Sequence, residues 1–240
     1  MTLLPTSLSQ ASLAAALAGS AVGTYLGGTP PNPNPERSPA VPDTIDRLKF
    51  TTKPVIGAIV GPLTALAAHH AALAYTYPNI PASILRHGAA NGLNTDLLTW
   101  TPATAVPLAL ILCAGAPLRL GSYASLGKNF TFALAAPTRL NTTGIYRYVQ
   151  HPSYTGAITL LVSNAALLCR TDGVLSCWVP PRWYDLVRRL AWIAAPVWIG
   201  VLALGLWTRV RQEERMLKAK FGTEWEEWHA KTPRFLPWLF

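Results

Sequence analysis

The sequence predicts an all-α, polytopic membrane protein with about five transmembrane helices and a cytosolic C-terminal amphipathic helix. Half of its 240 residues are hydrophobic and 13% are charged, whereas a soluble domain has about 25% charged residues. The hydrophobic residues are also gathered into blocks that approach the length of a membrane span. Three scattered cysteines are too few for a disulfide-rich fold or a metal site, so both classes are excluded.

Five apolar blocks account for the predicted membrane helices. A spanning helix needs about 20 mostly apolar residues, and the fourth block falls short of this length. It is therefore expected to be a short or tilted span, or half of a hairpin that does not cross. The first block is expected to be a retained anchor, because it lacks the basic residues that precede a signal peptide's apolar core. The blocks cover residues 8–28, 54–77, 101–118, 154–168 and 190–207.

A connector rich in proline joins the first two blocks. Residues 29–53 include six prolines, and proline removes a backbone donor that a helix interior needs. The sequence therefore predicts an extended connector here.

The net charge of +9 does not indicate a nucleic-acid partner, because the cations lie in short segments between the apolar blocks. Lys and Arg in such segments set the orientation of membrane helices. Their alternation places residues 119–150 and the tail in the cytosol. The loop at 169–189 disagrees, since its four arginines would then lie on the far side.

Polar residues concentrate in the run 142–156, which leads into the fourth block. Pro152 suits the first position of a helix, and Ser153 can cap open amides. A helix N-terminus favours a carboxylate or phosphate, and Tyr146 and His151 add hydrogen-bonding groups beside it. On spacing alone, a capped helix start with interfacial tyrosines is supported equally well.

A second polar cluster follows the fifth block. Arg209 and Glu213 are four residues apart, so they share one helix face. They form either a surface ion pair or a pair of binding groups for a ligand that carries both charges. Beyond them an amphipathic helix at the membrane interface is predicted by apolar residues at helical spacing. These residues are Leu217, Phe221, Trp225 and Trp228.

Three motifs in a fixed order carry a resemblance to a known family. They are G-I-Y-R-Y-V-Q-H-P-S-Y-T-G, R-x-x-x-E-E-x-x-L-x-x-x-F-G-x-E-W and a terminal T-P-R-F-L-P. Over roughly half of the chain, from Arg119 to Pro237, the sequence resembles the isoprenylcysteine carboxyl methyltransferase family. The resemblance implies a multi-pass enzyme of the endoplasmic reticulum membrane with a cytosolic C-terminus. Such an enzyme uses S-adenosylmethionine to methylate the C-terminal carboxylate of farnesylated or geranylgeranylated cysteine in CaaX-processed proteins.

The resemblance also implies site residues by position. Arg209 would face the substrate carboxylate as the catalytic and substrate-binding residue, and Glu213 would bind the cofactor. Gln150 departs from the family, which usually has Arg before His-Pro, and its neutral amide brings no charge. The remaining cofactor-binding positions implied are Thr138, Arg139, Leu140, Asn141, Tyr146, His151, Pro152, Ser153 and Tyr154.

With this function, the chain divides into three regions. Residues 1–53 hold the anchor helix and connector, residues 54–118 hold two transmembrane helices, and residues 119–240 form the catalytic region with its cofactor-binding loop, helical hairpin and C-terminal helix. A C-terminal carboxyl group is already ionised near neutral pH, so it needs placement against the methyl group rather than a general base.

Three alternatives remain open on the sequence. A phospholipid N-methyltransferase would need a neutral amine, hence a base or a depressed pKa. An NADPH-dependent sterol reductase-like protein shares a similar tail pattern, and a non-catalytic membrane scaffold would be consistent with Gln150. The sequence leaves the preferred prenyl length and the oligomeric state undetermined.

Overall fold

The computed structural model describes residues 7–34 and 43–237, and every regular element within these ranges is helical. The predicted all-α class is therefore confirmed for the described residues. Short 3₁₀ turns at residues 95–98, 127–129, 144–147 and 174–177 connect the longer elements. The α-helices are α1 (Leu8–Gly28), α2 (Thr44–Arg47), α3 (Lys53–Thr76), α4 (Ala82–Leu85), α5 (Pro102–Leu110), α6 (Ala116–Leu126), α7 (Pro152–Leu168), α8 (Pro181–Phe221) and α9 (Thr223–Lys231).

Within the described residues, three helical segments are long and apolar enough to cross a membrane. They are Lys53–Thr76, Pro102–Asn129 and Pro181–Phe221. The predicted number of about five spans and the interfacial position of the tail stay predictions. The fourth block forms α7, which has 17 residues, in agreement with its expected short length.

The first two apolar blocks coincide with helices almost to the residue, since α1 covers 8–28 and α3 covers 53–76. The third block continues beyond its predicted end, because the π-helical turn Ile111–Gly115 joins α5 to α6 without a break. The fifth block is the middle of the 41-residue helix α8. Proline at the first position begins α5, α7 and α8, where its missing N–H and fixed φ are tolerated.

Two predictions about local structure are wrong. The connector is not extended throughout, because Thr44–Arg47 forms the helical turn α2, with Asp43 as its N-cap. Residues 43–53 contain no proline, so nothing in their sequence prevents a turn of helix. The tail is not one continuous helix, because Gly222 adopts a φ of +53° and separates α8 from α9. The proline-containing stretch 35–42 lies outside the described residues.

Helices α1, α3, α5, α6 and α7 share one apolar core. Leu13, Leu17 and Leu73 are fully buried in it. Helix α7 approaches α6 closely at Gly156, where a Cβ atom would lie 2.9 Å from the carbonyl oxygen of Gly115. Glycine therefore allows the start of α7 to contact the start of α6.

Helix α8 is arranged differently along its length. Its first buried residue is Arg209, and the apolar stretch before it is exposed to the surroundings of the protein. The end of α8 packs with α9 around a second apolar cluster that includes Leu134, Met216, Leu217 and Trp225. The polar residues of the family motifs meet at this buried end.

Candidate active site

The buried end of α8 meets the start of α7 through one tyrosine. The Tyr154 hydroxyl donates a hydrogen bond of 2.6 Å to Glu213 Oε2, and it accepts one of 3.3 Å from Arg209 Nε. Arg209 and Glu213 therefore share a face, as predicted. Arg209 is only 7% exposed, so the interpretation of the two residues as a surface ion pair is wrong.

Arg209 has two further partners, neither foreseen from the sequence. Its Nη2 atom donates to the carbonyl oxygen of Phe132. Its Nη1 atom lies 2.6 Å from Asp43 Oδ1 in an ion pair, but without the alignment of a hydrogen bond. The guanidinium that the motifs assign to a substrate carboxylate is thus already beside a carboxylate of the same chain.

Asp43 is held beside Arg209 by backbone donors. The N–H of Leu134 lies 2.7 Å from Oδ2, and the N–H of Asp46 lies 2.9 Å from Oδ1. Partial burial raises the pKa of Asp43, but these two N–H groups and the Arg209 guanidinium outweigh that effect and lower it below its usual value. Asp43 is therefore an anion at neutral pH.

A second buried arginine supports the other side of the site. Arg119 donates to the carbonyl oxygen of Gly27 at 3.0 Å and to both Ser153 oxygens. Its guanidinium lies about 5 Å from the ring centres of Tyr123 and Phe132, within cation–π range. Because Ser153 Oγ is engaged by Arg119, it does not cap α7, and that prediction is wrong. Arg119 instead fixes the first turn of α7.

The turn before α7 is hydrogen-bonded to the segment that follows α9, residues 232–237, which is called the tail from here on. The backbone N–H groups of Gln150 and His151 donate to the carbonyl oxygens of Pro233 and Arg234, both at 2.9 Å. Glu214 accepts from Arg234 Nε at 2.6 Å. His151 Nε2 lies 3.6 Å from Glu214, too far for a hydrogen bond, so this buried atom has no aligned partner.

The contacts of the Gln150 side chain account for its departure from the family pattern. Its side chain is buried, with 4% of the residue exposed. Its amide nitrogen donates to the carbonyl oxygens of Thr232 and His229, and its Oε1 lies 2.7 Å from His229 Nδ1. A neutral amide serves all three contacts because it has both a donor and an acceptor.

Tyr146 lies near the cluster, as predicted. It is 7% exposed. Its burial and the nearby Glu213 charge raise the pKa of Tyr146 far above its usual range, although Ser122 and Arg119 partly offset the shift. The phenol therefore remains neutral and can only serve as a hydrogen-bonding group.

The predicted positions at 138–141 have other hydrogen-bond and packing partners. Thr138 pairs with Asn129, and Asn141 donates to Ser125. Leu140 packs against the apolar cluster at the end of α8. The role of this segment in binding the cofactor remains a prediction.

Two cavities adjoin the tied turn. An apolar one of about 330 Å³ lies between the start of α7 and residues 235–237. A polar one of about 380 Å³ lies between α8 and α9, where Glu214, Trp225 and His229 line it together with four basic residues.

Asp43 and Arg119 were not predicted as site residues, because neither lies within the three motifs. The adjacent glutamates in the second motif indicated Glu214 as well as Glu213, but only Glu213 was predicted as a site residue.

Over residues 7–34 and 43–237, fold and site define an all-helical arrangement with three candidate membrane spans and a buried cluster of opposite charges at the end of its longest helix. Comparisons with known proteins agree with the resemblance seen in the motifs. Residues 108–190 match the model of the isoprenylcysteine carboxyl methyltransferase (ICMT) family. The chain is also 27% identical over 134 residues to a Schizosaccharomyces pombe protein named protein-S-isoprenylcysteine O-methyltransferase.

These similarities are partial in extent. The similarity to the yeast protein covers 52% of this chain and 46% of that protein, so the chain spans about half the length of that relative. No solved structure matches the chain. The resemblance to the family is confirmed, and the matched segment contains Tyr146, His151 and Tyr154, while Arg209 and Glu213 lie beyond its end.

Proposed function

We propose that this protein transfers a methyl group from S-adenosylmethionine to the C-terminal carboxylate of a prenylated cysteine. The observation that carries the proposal is the buried cluster in which Arg209 and Glu213 meet at the Tyr154 hydroxyl. A cation and an anion on one face suit a cofactor and an acceptor that carry opposite charges. The name of the yeast relative supports the same reaction.

The polar groups at the site fit this cofactor. S-adenosylmethionine supplies an electrophilic methyl group on a sulfonium when bound. Its ammonium and carboxylate need partners of both signs, which Glu213 and the buried cations provide. His151 Nε2 is buried without an aligned hydrogen bond, and a bound polar ligand would satisfy it.

Each residue has a role that follows from its chemistry. Arg209 can hold the acceptor carboxylate and fix the direction of its oxygen. Glu213 orients the cofactor, and Tyr154 keeps Arg209 and Glu213 in register. The acceptor is already ionised, so no residue has to remove a proton, and exclusion of water by the buried site strengthens the contacts among these charges.

The membrane supplies the rest of the recognition. A prenyl chain is apolar, so it reaches the site from the bilayer, and the polar cofactor enters from the aqueous side. We place the tail and the 119–150 segment in the cytosol and the protein in the endoplasmic reticulum membrane, where CaaX processing ends. Both farnesyl and geranylgeranyl acceptors are included in the proposal.

The test uses purified full-length protein in detergent with methyl-labelled S-adenosylmethionine. Two acceptors run side by side, N-acetyl-S-farnesylcysteine and phosphatidylethanolamine. We expect a base-labile methyl ester on the farnesylcysteine. Transfer to the lipid amine alone would replace the proposal with phospholipid N-methylation, and absence of transfer to the farnesylcysteine would contradict it.

A further inference from the structure

The contact between Asp43 and Arg209 joins two distant parts of the chain at the centre of the proposed site. Asp43 precedes α2, in the connector, and Arg209 lies at the buried end of α8. The ion pair is 2.6 Å long, with the Arg209 side chain 9% exposed and the Asp43 side chain 12% exposed. It is therefore a largely desolvated carboxylate–guanidinium pair rather than a surface contact.

Asp43 and the acceptor present the same chemical group. Both are carboxylates that pair with a guanidinium. A buried arginine left without a partner would be strongly unfavourable, but Arg209 keeps Tyr154 and Phe132 as partners when Asp43 leaves, and the acceptor carboxylate then restores an ion pair. Asp43 Oδ1 lies 2.6 Å from Nη1, so an acceptor carboxylate has to displace Asp43 in order to pair with the same atom.

The segment that carries Asp43 is attached in a way that permits its displacement. No residue of the turn Thr44–Arg47 is buried. In its contact with α8, Gln212 Nε2 donates to Thr44 Oγ1 at 2.7 Å and Gln212 Oε1 accepts from the Thr44 N–H at 3.4 Å. The Ile45 side chain, which is only partly buried, adds an apolar contact near Gly205. Segments with few buried apolar contacts open at low cost in free energy.

We propose that Asp43 is an internal competitor for the acceptor carboxylate, which occupies Arg209 in the free protein and must leave before the acceptor binds. This rests on the proposed function, because it assigns the acceptor carboxylate to Arg209. Asp43 then lowers the apparent affinity for acids by the fraction of molecules in which Arg209 is free. A neutral methyl ester does not pair with a guanidinium as a carboxylate does, so its binding does not depend on this exchange.

Asp43→Asn is the variant that isolates this role. Asparagine caps a helix as well as aspartate does, and its side-chain oxygen can still accept from a backbone N–H. The variant removes the negative charge and keeps the cap to the Asp46 N–H, but it loses the acceptor that Oδ2 provides for the Leu134 N–H. Asp185→Asn is the matched control, because Asp185 is an exposed carboxylate of α8 that pairs with Arg188 and lies far along the helix from Arg209.

The experiment measures direct binding of N-acetyl-S-farnesylcysteine and of its methyl ester to the three purified proteins in detergent. We expect Asp43→Asn to bind the acid about tenfold more tightly, as for a competing state that leaves about a tenth of the molecules free. Its affinity for the ester should stay within about twofold, and Asp185→Asn should match the wild type. The melting temperature of ligand-free Asp43→Asn should fall, and the acid should restore it.

Equal or weaker binding of the acid by Asp43→Asn would overturn the proposal and make Asp43 a residue that positions Arg209.

Measurements of turnover separate the competition at Arg209 from the proposed methyl transfer. If Asp43→Asn gains affinity for the acid but neither protein transfers a methyl group, the competition at Arg209 stands and the proposed methyl transfer fails. If transfer occurs, a lower KM at unchanged kcat supports competition, and a lower kcat contradicts it.

Discussion

Two neighbouring glutamates of α8 have different partners. Glu213 accepts a single hydrogen bond in the described structure, from the Tyr154 hydroxyl. Glu214 is bound by Arg234 at 2.6 Å and lies 3.6 Å from His151. Successive helical residues point about 100° apart, so consecutive carboxylates can have different partners.

The comparison shows how the site combines a firm support with an accessible binding face. Glu214 is 5% exposed, and its oxygens are committed to the tail. Glu213 keeps one oxygen without a hydrogen bond to the described chain. We infer that Glu214 holds the tail against the start of α7, and that Glu213 remains available to a ligand.

The largest expected effect on stability comes from Glu214→Gln. The substitution removes the charge that pairs with Arg234 and leaves a buried group incompletely bonded, at a cost of about 2 kcal/mol. We expect a lower melting temperature and faster proteolysis of the tail. Glu226→Gln is the matched control, since Glu226 forms an exposed pair with Lys218 that contributes about 0–1 kcal/mol. Equal melting temperatures for the two variants would contradict the assignment of Glu214 to the tail.

A smaller loss is expected from Gln150→Arg, which restores the residue usual in the family. Arginine can donate to the carbonyl oxygens of Thr232 and His229 but cannot accept from His229 Nδ1. The lost acceptor should cost about 1 kcal/mol of unfolding free energy, measured by thermal unfolding. A more stable or more active variant would show that the site lacks a positive charge at position 150. It would contradict the interpretation that Gln150 holds the tail in place.

The smallest effect concerns pH and the imidazole of His229. Burial lowers the pKa of His229, Glu214 partly offsets this, and Arg234 lowers it further. A folded pKa below the unfolded value of about 6.5 means that the unfolded chain takes up the proton first, so stability falls as pH falls. We expect a constant melting temperature above about pH 7 and a decline below about pH 6.5. His229→Gln should flatten that decline, and an unchanged slope would exclude His229 as its source.

The sequence predicted the helices well where apolar blocks coincide with proline or polar boundaries. Block length alone placed α1 and α3, and Pro152 marked the start of α7. The length of α8 was missed because its ends are polar, although Pro181 gave the same signal as Pro152. The break at Gly222 was missed because apolar spacing continues across it.

The site was predicted in part for a similar reason. Helical spacing is local, so it placed Arg209 and Glu213 on one face. The contacts of Asp43 with Arg209 and of Arg119 with Ser153 join residues 166 and 34 positions apart, and no local pattern specifies such pairs. Gln150 could be recognised as a departure, but its purpose depends on a tail that lies 79 residues away at His229.

Binding of S-adenosylmethionine to Glu213→Gln and Glu214→Gln tests the central claim most directly. It is measured by calorimetry on purified full-length protein, with melting temperatures recorded in parallel. The account predicts that Glu213→Gln keeps the wild-type melting temperature, because glutamine still accepts from Tyr154, but loses cofactor affinity by about 100-fold or more, as expected for a charged hydrogen bond worth about 3 kcal/mol. Glu214→Gln should melt earlier and still bind the cofactor. Unchanged binding by Glu213→Gln would contradict the account and remove Glu213 from the site.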